Sequence, residues 1–394
     1  MPEYPPATEF LPALGPRVVF FTGGTALRCL SRTIIKYTHN TVHLVTPFDS
    51  GGSSAALRLA FDMPAVGDVR NRLLALADAA VVPQVVLDIC NGRLPVEGER
   101  ATLLQKLYAL ASSKDPAWAG VPRVFGEVLR LHLRYFLENM PDNFDPREAS
   151  VGNLILAGGY LHYRAQLGPV LSLMSRLLRV RGAVLPIVSD SLHLAAELED
   201  GSVVVGQHRI TGRGGVRLSA PVRRLFLTAQ RPGDVPAVGD DPVPCTSCVT
   251  PLAATYLRAA DCICYPMGSF YTSVTANLLP EGVGRAVADA VCSKVYIPNS
   301  GLDPEQGTLS VADRVRVLLE TLRRDAGENV PASRLLQTVL LDSVHGVYTG
   351  GIDAEGIKAQ GVAIRDCPLV EAEVPRRHDA ELTARALLEY AHPQ

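Results

Sequence analysis

The stretch "RVVFFTGGTALRCLSRTIIKYTHNTVHLVTPF" (17–48) decides how the fold is read. A short apolar run (17–22) ends in Gly23-Gly24, "TALRCLSRTIIKY" (25–37) repeats apolar residues at helical spacing, and "TVHLVTPF" (41–48) is again strand-like. That order is a β-α-β unit with a glycine turn at the carboxyl end of its first strand. The turn has neither the G-x-G-x-x-G spacing nor a Gly-Lys-Ser/Thr, so it is neither a dinucleotide fingerprint nor a P-loop. What remains is a turn rich in backbone N–H groups that feeds a helix N-terminus, where an anion is favoured.

The pattern continues outward from this unit. Residues 68–182 read as mostly helical, too long for a single crossover, and predict a helical subdomain inserted into the sheet. "LHLAAELEDGSVVVGQHRI" (192–210) places two alternating runs around Asp200-Gly201, a hairpin signal. "RRLFLTA" (223–229) predicts a strand, followed by the loop "QRPGDVPAVGDDPVPC" (230–245). Then helix "TPLAATYLRAA", strand "DCICYPM", loop "GSFYTSVTANLLPEG", helix "GRAVADAVC", strand "KVYIPNS" and a helix from about Ser310 follow, with two more strands and a final helix after about 338. Apolar strands without polar alternation, separated by helices, imply a doubly wound, mostly parallel sheet covered on both faces.

Bulk composition excludes several classes. The 38 Lys+Arg against 40 Asp+Glu, spread along the chain, leave no electrostatic footprint for nucleic acid or an anionic membrane. "MPEYPPATEFLPALGPR" (1–17) is not a secretory signal and no run of about 18 apolar residues occurs, so a cytoplasmic protein is expected. The 8 cysteines are sparse and irregular, which suits a reducing compartment. Cys245-Thr-Ser-Cys248 is a lone CxxC, either a metal or redox pair or a loop with two incidental thiols. No His-x-x-x-His or His-Asp-Ser arrangement can be read, which disfavours a zinc hydrolase or a triad enzyme.

In a doubly wound sheet, ligands sit beyond the carboxyl ends of the strands. Four polar or glycine-rich segments fall at that edge: Gly23-Gly24-Thr25, Asp49 to Ser54, Gly268-Ser269 with Tyr271 and Ser273, and Asn299-Ser300-Gly301. Gly23-Gly24-Thr25 is either a tight turn and cap or a phosphate contact. Gly51-Gly52-Ser53-Ser54 exceeds what a helix cap requires, which favours phosphate or ribose contact. Asp49 is an Asx-turn residue or the single carboxylate that holds Mg2+ beside a phosphate. Asp68, Arg70 and Asn71 form a second polar knot, either a helix start with a solvated arginine or the cationic wall of the site, with Arg58 the other nearby cation. Asn153, inside "VGNLILAGG", needs partners for its amide, from a ligand or from a loop.

These segments together resemble the CofD/YvcK superfamily. Its members carry "GGGTG", "ADDGGSSGRLR", "PPGDIRNCLVALA", "GNL", "MEDG", "GPGSLYTSVIPNLL", "VYVCN" and "ADHV". This chain has "TGGTA" (22–26), "PFDSGGSSAALR" (47–58), "PAVGDVRNRLLALA" (64–77), "VGNLILA" (151–157), "LEDGSVVVG" (198–206), "YPMGSFYTSVTANLLPEG" (265–282), "VYIPN" (295–299) and "VADRV" (311–315), in the same order. The resemblance implies one Rossmann-like α/β domain over 1–394, with the helical insertion at about 68–182, the hairpin at about 192–210 and a C-terminal extension at about 325–394. It implies a nucleotide-diphosphate pocket at the strand ends, lined by Gly23, Gly24, Gly51, Gly52, Ser53, Ser54, Asn153, Gly268 and Ser269.

One branch of the superfamily transfers a phospholactyl group from a GDP-linked donor with Mg2+. The other, whose loops are closer to these, binds UDP-sugars and is regulatory. Two functions are therefore expected as alternatives. The first is a transferase in which Asp49, with Mg2+, and Arg70 act on a nucleotide-diphosphate donor held by the glycine loops, Thr25, Asp68, Asn71, Ser273 and Asn299. The second is a non-catalytic nucleotide-sugar sensor. A homodimer follows from family habit. The chain departs from the pattern at Ser50, where the family has a second acid, at Ala55, at Pro266-Met267-Gly268 and at Arg314.

Overall fold

Val18, Val19, Phe20 and Phe21 are completely buried. A strand apolar on both faces belongs in the middle of a covered sheet, and β1 (Val18–Thr22) lies there. In the computed structural model, which describes residues 11–212, 218–233, 242–301, 303–371 and 377–391, β1 is flanked by β2 (Val42–Val45) and then β3 (Ala183–Pro186) on one side. Most of the N-terminal stretch (1–10) and part of the loop after "RRLFLTA" (234–241) lie outside the described residues.

A second, four-stranded antiparallel sheet contains β4 (His193–Leu198), β5 (Val203–Val205), β6 (Val222–Thr228) and β7 (Pro244–Cys245), in the order β5-β4-β6-β7. The main sheet resumes with β8 (Cys262–Tyr265), β9 (Ser293–Tyr296), β10 (Thr338–Leu341) and β11 (Ala363–Asp366). Its order is β11-β10-β9-β8-β1-β2-β3, and every pairing is parallel. Winding reverses between β1 and β8, so the ligand crevice of such a sheet falls at their carboxyl ends.

The helix α1 (Arg28–Ile34) joins β1 to β2. The long span between β2 and β3 holds α2 (Gly52–Phe61), α3 (Gly67–Ala75), α4 (Gln84–Asn91), α5 (Arg100–Ala111), α6 (Arg123–Asn139), α7 (Val151–His162) and α8 (Leu167–Leu177). They enclose their own core around Leu57, Val69, Leu133, Leu154 and Val170. The contact of α6 with α7 depends on Gly158, because a Cβ there would lie 1.8 Å from the His132 carbonyl oxygen. Residues 151 to 160 of α7 are all buried, so this helix runs through the centre of the layer.

The β4-β5 hairpin lies against the main core through Leu194, Ala196 and Leu198, while Ala195 packs with Val205 and Phe226 on the other face. "QHRI" ends the predicted second hairpin strand, yet it forms a short helical turn, Gln207–Ile210. Gly206, with φ of +108, turns the chain out of the strand. All eight cysteines are free thiols; Cys262 and Cys264 are buried in β8, and among the described residues no group of three or more His, Cys, Asp or Glu could hold a metal ion. Among those residues no helix is long and apolar enough to cross a membrane.

Candidate functional site

The N-termini of α2, α3 and α7 meet at one point. Ser150, immediately before α7, donates its N–H to the Ser53 hydroxyl at 3.2 Å, and its own hydroxyl accepts from the Arg70 guanidinium. Gly67, the first residue of α3, is so close to the other two helices that a Cβ there would lie 2.7 Å from Ser54 Oγ, 3.3 Å from Asp49 Oδ2 and 3.7 Å from Asn153 Nδ2. Asp49, Ser53, Ser54, Arg70 and Asn153 are thus brought together. Helix N-termini carry unsatisfied N–H groups and partial positive charge, so negative charge is favoured where three of them converge. The Asn153 side chain is 2% exposed and its Oδ1 has no partner among the described residues. A buried amide oxygen in that state retains its capacity to accept a hydrogen bond.

Gly51 caps α2 without a side-chain bond, and its N–H goes to Asp49 Oδ1 at 3.1 Å, an Asx turn. Gly52 is exposed, with φ of +47. Ser50, where the family pattern has a second acid, is engaged elsewhere: its Oγ lies 2.8 Å from His208 Nδ1 and accepts the His208 backbone N–H at 3.3 Å. His208 was not among the sequence-predicted residues, since nothing local marks it as a partner of the second strand's loop.

Three arginines, Arg58, Arg70 and Arg72, are buried near these loops, each with its pKa pushed down to about 10, chiefly by burial, and each charged at neutral pH. Arg58 braces the loop rather than facing it, donating to the carbonyls of Phe48 (3.4 Å), Asp49 (3.3 Å) and Leu192 (2.6 Å). Arg70 also binds Asn71 Oδ1 at 2.7 Å, so Asn71 orients the arginine. Asp68 favours the charged form of both Arg70 and Arg72. Arg72 escapes sequence reading although it sits three residues after Val69 and four before Leu76, on the apolar face of α3. It donates to Ser31 Oγ at 2.7 Å and to the Gly24 carbonyl at 3.2 Å, tying the first glycine turn to α3.

That turn meets the loop after β8. A Cβ on Gly23 would lie 2.8 Å from Ser273 Oγ and 3.0 Å from Thr46 Oγ1, and Gly24 has φ of +60. Gly268 lies against Ser273, and the Ser269 carbonyl accepts the N–H groups of Ser273 and Val274. Thr25 is exposed, its carbonyl accepting the Arg28 N–H. The predicted loop "GSFYTSVTANLLPEG" is instead wound into tight helical turns, Phe270–Val274 and Thr275–Leu278. Two buried carboxylates cause this. Asp303 accepts the Phe270 N–H at 3.0 Å, and Glu305 accepts those of Tyr271 and Thr272 at 3.0 and 2.9 Å. Those N–H groups are therefore unavailable to a phosphate. Burial and the neighbouring Asp303 push the Glu305 carboxyl up to about 8. Asn277, also missed, links the Thr22 and Ser273 carbonyls through its Nδ2 at 3.0 and 2.7 Å. Asn299 lines a cavity of about 200 Å³ with Ala26 of the first glycine turn, Met267 before Gly268, and the C-terminal residues Arg377 and His378.

The family model for 2-phospho-L-lactate transferase CofD matches residues 18–370. The chain belongs to the CofD family. This CofD-family chain is 30% identical over 390 residues to the gluconeogenesis factor of Bacillus subtilis (strain 168), an alignment that covers 95% of this chain and 98% of that protein. It is 28% identical over 381 residues to the gluconeogenesis factor of Halalkalibacterium halodurans, covering 94% and 95% of the two chains. A crystal structure of a UPF0052-family protein from Bacillus halodurans is similar with a TM-score of 0.66 at 25% identity, covering 95% of this chain and 99% of that one. The CofD match spans the α2, α3 and α7 N-termini and both glycine turns, and it ends before Arg377 and His378.

Proposed function

We propose that this CofD-family protein binds a nucleotide-diphosphate-linked ligand, with the diphosphate at the meeting point of α2, α3 and α7. The observation that carries this reading is the convergence of three helix N-termini around Ser54, Asp49 and Asn153, where the buried Asn153 amide oxygen, without a partner among the described residues, is left to accept from a hydroxyl of the ligand. Ser53, Ser54 and the amides after Gly51 would hold phosphate oxygens, and Arg70 and Arg72 would supply positive charge from below. The turns at Gly23-Gly24 and Gly268-Ser269 would close the switch-point side of the ligand.

Mg2+ fits here only in one form. Asp49 is the carboxylate that a Cβ on Gly67 would approach, with Ser50 turned to His208. A single carboxylate suits an ion that keeps its waters and takes the ligand's phosphate oxygens, and does not suit a protein cage. When bound, the ion would neutralise phosphate charge. The single acid favours a regulatory nucleotide-sugar binding protein of the cytoplasm, in line with relatives named gluconeogenesis factors. The retained Asp49 supports the second reading, a CofD-like transferase that moves a phosphoryl-linked group to an acceptor.

Calorimetric titration with UDP, GDP and their sugar conjugates, with and without Mg2+, tests the site. A flat response to all of them would refute it. Asp49→Asn then separates the readings: binding that survives with no donor turnover in either protein supports regulation, and turnover that vanishes in the variant supports transfer.

A further inference from the structure

The cavity of about 200 Å³ opens just beyond the carboxyl ends of β1, β8 and β9, where Ala26, Met267 and Asn299 line it. Its other wall comes from the C-terminal helix (Ala380–Leu388), which shares a core with α1 through Leu27, Leu30, Ala384 and Leu387. Asp379 caps that helix and donates its own N–H to the Leu369 carbonyl, which fixes Arg377 and His378 beside the start of α1. Cys29, the second residue of α1, is exposed, lines the cavity and accepts from Arg377 Nη2 at 3.8 Å. The family match reaches Cys29 and stops before Arg377, so the cavity joins a wall inside the match to one beyond it.

Accessibility and charge single out Cys29 among the eight free thiols. Burial pushes Cys90 up to about 12 and raises Cys262, Cys264, Cys292 and Cys367, which leaves them little thiolate to react. Cys245 is partly buried and donates to the Val243 carbonyl at 3.8 Å. Cys248 is exposed like Cys29, yet no arginine or lysine touches it among the described residues. Arg377 uses Nε for Glu371 at 3.6 Å, an exposed pair that water screens, and turns Nη2 to Cys29. No carboxylate is among the described residues that line the cavity. The cavity also holds an unmet group: His378 Nε2 is buried without a partner among the described residues, and burial pushes this imidazole down to about 4, so it is neutral at pH 7. A buried ring nitrogen in that state is free to hydrogen-bond with whatever fills the cavity.

We infer that Cys29 is a modification site, which forms a mixed disulfide with a small, carboxylate-bearing disulfide and thereby blocks the ligand edge of the sheet. The Cys29 thiolate attacks one sulfur of the incoming disulfide. A new sulfur–sulfur bond forms as the old one breaks, the thiol proton goes to solvent, and the other half leaves as a thiolate. Oxidation of Cys29 is matched by reduction of that leaving half, so the small disulfide is itself the oxidant. Arg377 attracts the carboxylate, and the retained half fills the cavity against Asn299 and His378. The effect on the ligand rests on the nucleotide-diphosphate reading, because Ala26, Met267 and Asn299 stand at the strand ends where that ligand is placed.

The full chain is treated with dithiobis(nitrobenzoate), which carries a carboxylate on each half, or with dithiodipyridine, which carries none, and peptide mass mapping reads the rate at each thiol. Cys248 is the internal reference. With the anionic reagent Cys29 is expected to lead Cys248 by about tenfold or more, the scale of electrostatic steering. The lead is expected to shrink with the neutral reagent and in Arg377→Gln, and to persist in Arg377→Lys. A Cys29 rate no higher than that of Cys248, or a lead indifferent to both reagent charge and Arg377→Gln, overturns the inference. Calorimetric titration with UDP and GDP then compares modified with unmodified protein. Affinity is expected to fall by about tenfold or more and to return on reduction with dithiothreitol. Cys29→Ser is expected to bind as the wild type does and to ignore the reagent. An affinity unchanged by complete modification of Cys29 overturns the control of the ligand edge. If the unmodified protein binds neither nucleotide, the nucleotide reading fails and ligand control with it, while the rates alone decide the modification site.

Discussion

Gly67→Ala puts a methyl group where the site is most crowded. The new Cβ would lie 2.7 Å from Ser54 Oγ, 3.3 Å from Asp49 Oδ2 and 3.7 Å from Asn153 Nδ2. The tightest neighbour is the hydroxyl at the end of a short side chain, which can rotate away. Gly67 does not occupy the left-handed region, so alanine is compatible with its backbone. Removing a glycine from the unfolded chain contributes about 0.4–1 kcal/mol of stability, which offsets much of the cost of moving Ser54. Folding stability is therefore expected to change by less than ~1 kcal/mol. Ligand binding responds differently, because the methyl displaces the Ser54 hydroxyl from the phosphate position. A hydrogen bond to a charged group contributes about 1.5–3 kcal/mol, equivalent to a roughly 10- to 100-fold weaker Kd. Urea denaturation and calorimetric titration with UDP and GDP measure the two effects. Gly168→Ala, in α8 where a Cβ would meet nothing within 4 Å, is the control: it should leave Kd unchanged and raise stability by about 0.4–1 kcal/mol. An unaltered Kd for Gly67→Ala would refute the placement of the phosphates, and a stability loss above ~2 kcal/mol would refute the claim that Ser54 can yield.

Two further outcomes test the supports of the site. The Glu305 carboxyl, ordinarily near 4.5, is raised to about 8 in the fold, so the folded chain keeps a proton that the unfolded chain releases. Its contribution to stability is complete below about pH 4.5 and is lost as pH rises to about 8. Glu305→Gln, which keeps an acceptor for the Tyr271 and Thr272 N–H groups, should flatten the fall in stability across that window in denaturation curves taken from pH 5 to 9. Parallel curves for both proteins would count against a protonated Glu305. Gly158→Ala drives a methyl to 1.8 Å from the His132 carbonyl, an atom fixed in α6, so the helices must separate at a cost of about 1–3 kcal/mol or more. A denaturation midpoint equal to wild type would show that this close approach is not tight in solution.

Much of the architecture was legible because it is local. Apolar runs at 17–22, 41–45, 262–265 and 293–297 are each long enough for one strand, and the helical periodicity between them leaves a parallel, doubly wound sheet as the consistent solution. The same locality exposed the glycine and hydroxyl segments at strand ends. It failed where side chains from distant segments decide the outcome. The segment after β8 reads as a loop until Asp303 and Glu305, 33 residues away, take its N–H groups and wind it into a helical turn. "QHRI" reads as strand until Gly206 turns it towards Ser50.

By itself, the sequence determined the order of elements, the sheet type and which loops reach the ligand edge, since periodicity and glycine turns act over a few residues. Only the tertiary structure decided which polar groups face the site and which hold it together. Arg58 and Arg72 are cations of similar sequence context, yet one braces the second loop and the other the first glycine turn. Ser50, beside Asp49 in the chain, bonds across 158 residues to His208 while Asp49 stays at the helix N-termini. The physical reason is the same in each case: a buried polar group takes whatever partner the packing brings within about 3 Å, and that distance is written nowhere in the local sequence.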